Sequence, residues 1–132
     1  MSTHAQIGIE NDDGTIESIY CHFDGYQEGV GNTLAQHYSD EDKIRSLMAL
    51  GDISYLAPEL GQEHDFDNPI DGWTVAYGRD RGEDDTGSSI STSIQDYTSL
   101  GEDFQYLFTK DKKWILVANW GKLIKLALNS KR

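Results

Sequence analysis

Cys21, His22, His37, His64, Asp65 and Asp67 are the residues of this 132-residue chain whose types could hold a metal ion or carry nucleophilic chemistry. Thiolate, imidazole and carboxylate are the usual ligands of transition metals, and a thiolate beside a histidine base is a nucleophile. The spacing argues against both. Cys21 and His22 are neighbours in a stretch of strand character, so they point to opposite faces, and neither a C-x-x-C nor an H-E-x-x-H pattern occurs. A lone cysteine on an apolar strand face is ordinarily inert packing. The expectation is therefore no metal, no cofactor and no catalytic residue. A small hydrolase using Cys21, His22 or Asp24 ranks last among the alternatives.

Binding chemistry is better represented. Tyr20, His22, Asp24 and Tyr26 cluster around the Asp24-Gly25 turn, where aromatic faces could stack a base. Arg79 and Arg81 flank Asp80, and alternation along a strand would put both on one side, able to grip a phosphate or carboxylate with forked donors. Pairing of these arginines with Asp80, Glu83 and Asp84 is the competing reading. Gly25, Gly29 and Gly31 precede a helix start, where free amides receive anions, but Asp24 and Glu28 would repel one.

The elements that must position these residues follow from period and punctuation. Alternation predicts strands over Ala5–Glu10 and Thr15–Phe23, joined at Asn11-Asp12-Asp13-Gly14 as a hairpin. Val30, Leu34 and Tyr38 predict a helix over 29–38. A second starts at Ser39 as its cap, carries Ile44, Leu47 and Met48 on one face, and stops at Gly51. Residues 52–72 read as irregular and Trp73–Tyr77 as a strand. Residues 84–101 read as a mobile loop that Ile90 and Ile94 could anchor. Glu102–Thr109 and Lys113–Asn119 read as a hairpin, and 122–128 as a final helix turn or a strand, with helix preferred. The fold class expected is α+β: one domain over 1–132, an antiparallel sheet of about five strands, and two or three helices on one face.

Charge narrows the partners. The formal net charge is −12 at pH 7, unevenly spread. Over residues 1–78, fifteen acids against Lys43 and Arg45 leave −13, whereas residues 110–132 hold seven bases against Asp111. No broad basic face is available to displace phosphate counterions, so direct contact with nucleic acid or an anionic membrane is not expected. A charge of this size also serves solubility alone. A protein with a basic surface is the partner expected, with Asp40, Glu41, Asp65 and Asp67 at the contact; a homo-oligomer is compatible. One cysteine and a polar N-terminus, Met-Ser-Thr-His-Ala-Gln, predict a reducing, cytoplasmic setting.

The stretches Ile19-Tyr-Cys-His-Phe-Asp-Gly-Tyr26, Leu50-Gly-Asp-Ile-Ser54 and Trp73-Thr-Val-Ala-Tyr-Gly-Arg-Asp-Arg-Gly-Glu83, with the opening Ser2-Thr-His-Ala5, resemble a family of small proteins of unassigned function carried by bacteriophages and prophages. Gln27 departs from that pattern, in which proline is expected. The resemblance implies a phage-type accessory protein acting in the host cytoplasm and supplies no activity. Together with the charge it leads to the expectation of a non-catalytic inhibitor of a host defence or nucleic-acid enzyme, presenting acids where phosphates would sit. The alternative is a module that sequesters a nucleotide signal between Tyr20, His22, Tyr26 and the Arg79/Arg81 pair.

Overall fold

The computed structural model describes residues 2–119 and 122–128. Its strands are β1 (Ala5–Glu10), β2 (Ile16–Cys21), β3 (Ile53–Tyr55), β4 (Val75–Ala76), β5 (Ser89–Ser91), β6 (Phe104–Phe108), β7 (Trp114–Asn119) and β8 (Lys122–Ala127). Between them lie a wide helical turn over Gln27–Gly31 and the helices α1 (Asn32–His37), α2 (Glu41–Leu50), α3 (Tyr77–Arg81) and α4 (Ile94–Thr98). The fold is α+β, with one sheet in the order β4-β3-β2-β1-β6-β7-β8 and β5 pairing β2 off that path.

Among the described residues the sheet is mixed and has eight strands, with four α-helices, which corrects the expected antiparallel sheet of about five strands and two or three helices. β1 runs parallel to β6, with Ala5 opposite Phe104, and β2 meets β3 in parallel at Cys21 and Ile53. Parallel neighbours have no connecting turn between them, so no local signal announces the pairing. The two hairpins visible in the sequence, β1–β2 and β6–β7, are antiparallel as expected.

Both faces of the sheet are covered, correcting the one-sided layout. On one face Ile7, Ile9, Ile19, Cys21, Tyr106 and Leu116 pack with Val30, Leu34, Tyr38, Ile44, Leu47 and Met48 from the helical segment. On the other, α4 lays Tyr97 over Ile16, Leu107 and Val117. Tyr97 is fully buried; its hydroxyl donates to the Tyr106 carbonyl at 2.6 Å, and Gln105 Nε2 donates to the Tyr97 carbonyl at 2.6 Å.

Several local expectations change for identifiable reasons. The cap of α2 is Asp40, one residue after Ser39: its carboxylate accepts from the Asp42 amide at 3.0 Å. Residues 84–101 are partly ordered, because Ser93 accepts from the Asp96 amide and starts α4. Ile94 packs on the Tyr97 cluster, whereas Ile90 leaves its side chain 60% exposed and is held through the backbone of β5, opposite Glu17 of β2. Segment 122–127 is a strand paired to β7, which corrects the expected helix turn. The strand expected over Trp73–Tyr77 is cut to Val75–Ala76, since the chain coils into α3 at Tyr77. Among the described residues no helix is long and apolar enough to cross a membrane.

Candidate functional site: an acid-rimmed aromatic groove

The corner that follows β2 sets one wall of the site. After Cys21 the chain continues beside β3, with the His22 amide donating to the Ile53 carbonyl and the Phe23 amide to that of Ser54. Asp24 then turns the backbone at φ 59°, a left-handed conformation that aspartate tolerates better than most residues. Gly25 and Gly29 are required by close approach. A Cβ on Gly25 would lie 2.6 Å from the backbone of His4, and one on Gly29 would lie 2.3 Å from the Asp24 carbonyl oxygen. Tyr106 Oη donates to the Gly25 carbonyl at 2.7 Å and pins the corner to the core. Held this way, Phe23 and Tyr26 are left 44% and 39% exposed.

The opposite wall is the 65–73 segment. Asp65 organises its turn by accepting from the Asp67 amide and Asn68 Nδ2. Gly61 lets Trp73 pack onto the chain, as a Cβ there would come within 2.4 Å of the indole. The segment is fastened from beneath by Asp80, whose side chain has no solvent exposure. That carboxylate accepts from the amides of His64 (3.1 Å) and Ala76 (2.8 Å) and from the Arg79 guanidinium (2.9 and 3.1 Å). Burial opposes its ionisation, yet these donors outweigh burial and hold the carboxyl below the ordinary value of 3.8.

Between the walls lies an open groove of about 620 Å³, lined by Phe23, Tyr55, Phe66, Ile70, Trp73 and Val75 among others. Among the described residues its lining carries two acidic residues, Asp24 and Asp71, and no basic one. Aromatic faces beside carboxylates favour a cation with an apolar body, and repel an anion.

The expected site residues are divided by the fold. Tyr20 and His22 do meet, and a residue that the sequence reading passed over, His4, joins them. Tyr20 Oη lies 2.8 Å from His22 Nδ1 and 3.0 Å from His4 Nδ1. His4 Nδ1 is also 2.8 Å from the His22 carbonyl, which can only accept, so that nitrogen carries the proton. Tyr20 Oη thus bridges the two imidazoles, in contact with His4 Nδ1 and His22 Nδ1 at once. Burial, then the nearby His4, lower the His22 pKa from 6.5, and burial pushes the Tyr20 phenol up to about 12. The trio is held together by its own hydrogen bonds.

Tyr26 turns to Asp24, donating at 3.3 Å, and the Asp24 charge raises its pKa. Arg79 and Arg81 lie on α3, so the shared strand side expected for them does not exist: residues two apart on a helix diverge. Arg79 is spent on Asp80 and on the carbonyls of Leu60 and Thr74. Arg81 pairs with Glu83 and stacks over Phe66 at 4.2 Å and Tyr77 at 5.2 Å. Asp40 is occupied as the α2 cap, and Glu41 bonds Lys112 Nζ at 2.5 Å. Asp65 and Asp67 are the chain neighbours of Phe66; both are exposed and neither lines the groove.

Cys21 is fully buried, and burial pushes its thiol up to about 12, the protonated state that does not attack. Among the described residues no group of three or more His, Cys, Asp or Glu side chains is placed to hold a metal ion. Tyr55, Phe66, Ile70 and Trp73 went unremarked as site residues in the sequence. The available signal was the density of aromatic and apolar residues in an otherwise acidic, turn-rich stretch.

Fold and groove together define an α+β protein with an open aromatic groove rimmed by carboxylates. No family model, curated protein or solved structure matches the chain.

Proposed function

We propose that this is a non-catalytic accessory protein of phage type that acts in the host cytoplasm by binding a basic surface of a host protein, a defence or nucleic-acid enzyme whose phosphate-contacting face its acids engage. The observation that carries this reading is the charge of the groove: Asp24 and Asp71 line it, Asp65 and Asp67 stand beside its wall, and both nearby arginines are already committed to Asp80 and Glu83. The charge of −13 over residues 1–78 extends the same sign over the rest of that half of the chain, and the resemblance to small phage proteins supplies the setting.

The nucleotide-sequestering alternative is weakened, since Arg79 is taken up by Asp80 and the carbonyls of Leu60 and Thr74, and Arg81 already pairs with Glu83. It has no observation in its favour.

Immobilised protein exposed to bacterial lysate tests the first reading. Basic proteins are expected to be retained at low salt, released at high salt, and lost from a variant carrying Asp40→Asn, Glu41→Gln, Asp65→Asn and Asp67→Asn. Asparagine caps a helix as well as aspartate does, so the variant keeps α2. Equal retention by both forms, or none by the wild type at low salt, overturns the reading.

A further inference from the structure

We propose that the groove takes an arginine-bearing, otherwise apolar segment of the partner protein, its guanidinium laid against the rings and drawn to Asp24 and Asp71; this rests on the protein-binding reading above and names what the site recognises. The lining sets the chemistry by complementarity. Phe23, Tyr55, Phe66 and Trp73 offer ring faces, Pro69, Ile70 and Val75 offer aliphatic surface, and the charged groups of the lining are both carboxylates. A cation is attracted twice, by ring quadrupole and by carboxylate, while phosphates and acidic peptides are repelled.

The size of the occupant follows from the space. A groove of about 620 Å³ is much larger than one guanidinium, and its openness admits flanking residues of an extended chain. The exposed apolar side chains along it, Phe23, Tyr55 and Ile70 at 44%, 42% and 44%, match flanks that are apolar.

Arginine is favoured over lysine by the wall itself. Phe66 already carries the Arg81 guanidinium at 4.2 Å, so a ring of this site accepts a planar cation on one face. With that face filled, the incoming arginine goes to Phe23, Tyr55 and Trp73. A guanidinium can stack on a ring while its edge donates two hydrogen bonds to a carboxylate, which a compact ammonium cannot do.

Calorimetric titration of the full chain with the capped peptide Leu-Arg-Phe-Arg-Leu tests this, beside versions carrying citrulline, lysine or glutamate in place of both arginines. Saturable binding of the arginine peptide is expected, about tenfold or more weaker for citrulline and lysine, and none with glutamate. Tyr55→Ser and Asp71→Asn, both at exposed positions where the fold should persist by circular dichroism, are expected to weaken the arginine peptide about tenfold. Equal binding of the arginine and citrulline peptides, unchanged affinity in both variants, or tighter binding of a single-stranded oligonucleotide overturns the inference. The lysate experiment separates the two levels. Capture that survives Tyr55→Ser but falls when the acids are neutralised overturns the groove occupant and leaves protein binding standing; capture insensitive to both overturns the wider reading.

Discussion

Replacing Asp80 with asparagine should destabilise the protein strongly. Its side chain is fully buried and satisfies three partners at once: the Ala76 amide, the His64 amide and the Arg79 guanidinium. Asparagine keeps one acceptor oxygen and loses the charge, leaving Arg79, only 15% exposed, without its counter-ion. Removing one partner of a buried pair costs about 3–5 kcal/mol. Arg79 retains the carbonyls of Leu60 and Thr74, so the lower end, about 3 kcal/mol, is expected. For a domain of this size that lowers Tm by roughly 10 °C.

The pH dependence has a definite sign. The Asp80 carboxyl titrates below 3.8 in the fold and near that value unfolded, so its contribution is complete above 3.8 and is lost as pH falls through the lower, folded value. The variant should therefore show a shallower loss of stability below pH 3.8 than the wild type. Thermal and urea unfolding followed by circular dichroism measure both effects. Arg79→Met combined with Asp80→Asn should cost less than the sum of the single changes, because the stranded charge is gone. A Tm drop under about 2 °C for Asp80→Asn, or strict additivity in the cycle, would refute the reasoning.

Three further outcomes are expected. Tyr97→Phe removes a buried hydroxyl that donates to the Tyr106 carbonyl, and should cost about 1–2 kcal/mol in urea unfolding while leaving peptide binding unchanged; a neutral result would mean the carbonyl finds another donor. Cys21, buried with its thiol raised to about 12, should resist iodoacetamide in the native protein and react only at the rate of unfolding, so rapid native labelling would count against its placement. His22, lowered below 6.5 by burial and by His4, is neutral in the fold. Unfolded chains take up a proton first as pH falls through 6.5, and stability should decline below that pH unless His22 is replaced by glutamine. An imidazole titration by NMR with its midpoint at or above 6.5 would contradict the Tyr20–His22–His4 arrangement.

Local pattern carried much of the fold. The two hairpins, the α2 face of Ile44, Leu47 and Met48, and its stop at Gly51 were legible because each is written between near neighbours along the chain by period, turn chemistry or capping. α4 escapes the sequence reading: Ser93, three residues before Asp96, is its cap, but the surrounding Ser, Thr and Gly make the stretch read as a loop. Strand 122–127 was ambiguous, since a short run such as Lys-Leu-Ile-Lys-Leu-Ala suits either period, and pairing with β7 resolves it.

The candidate site was legible only in its parts. Asp24, Asp65 and Asp67 were singled out for type, while the groove that Asp24 lines also needs Tyr55 and Trp73, which lie in segments that gave no strong periodic signal. The arginines failed as a pair because α3, five residues long, replaced an expected strand end and sent the two side chains to different acids.

Composition and short-range spacing by themselves determined the net charge, the α+β class and the main local elements. Each depends on neighbours along the chain or on residue type alone. Tertiary structure decided which strands run parallel, that both sheet faces are covered, that His4 completes the Tyr20–His22 trio, and that the Phe23 corner faces the 65–73 wall across a groove. Those arrangements join residues up to a hundred positions apart, and their free energy comes from contacts that have no counterpart in any local window of the sequence.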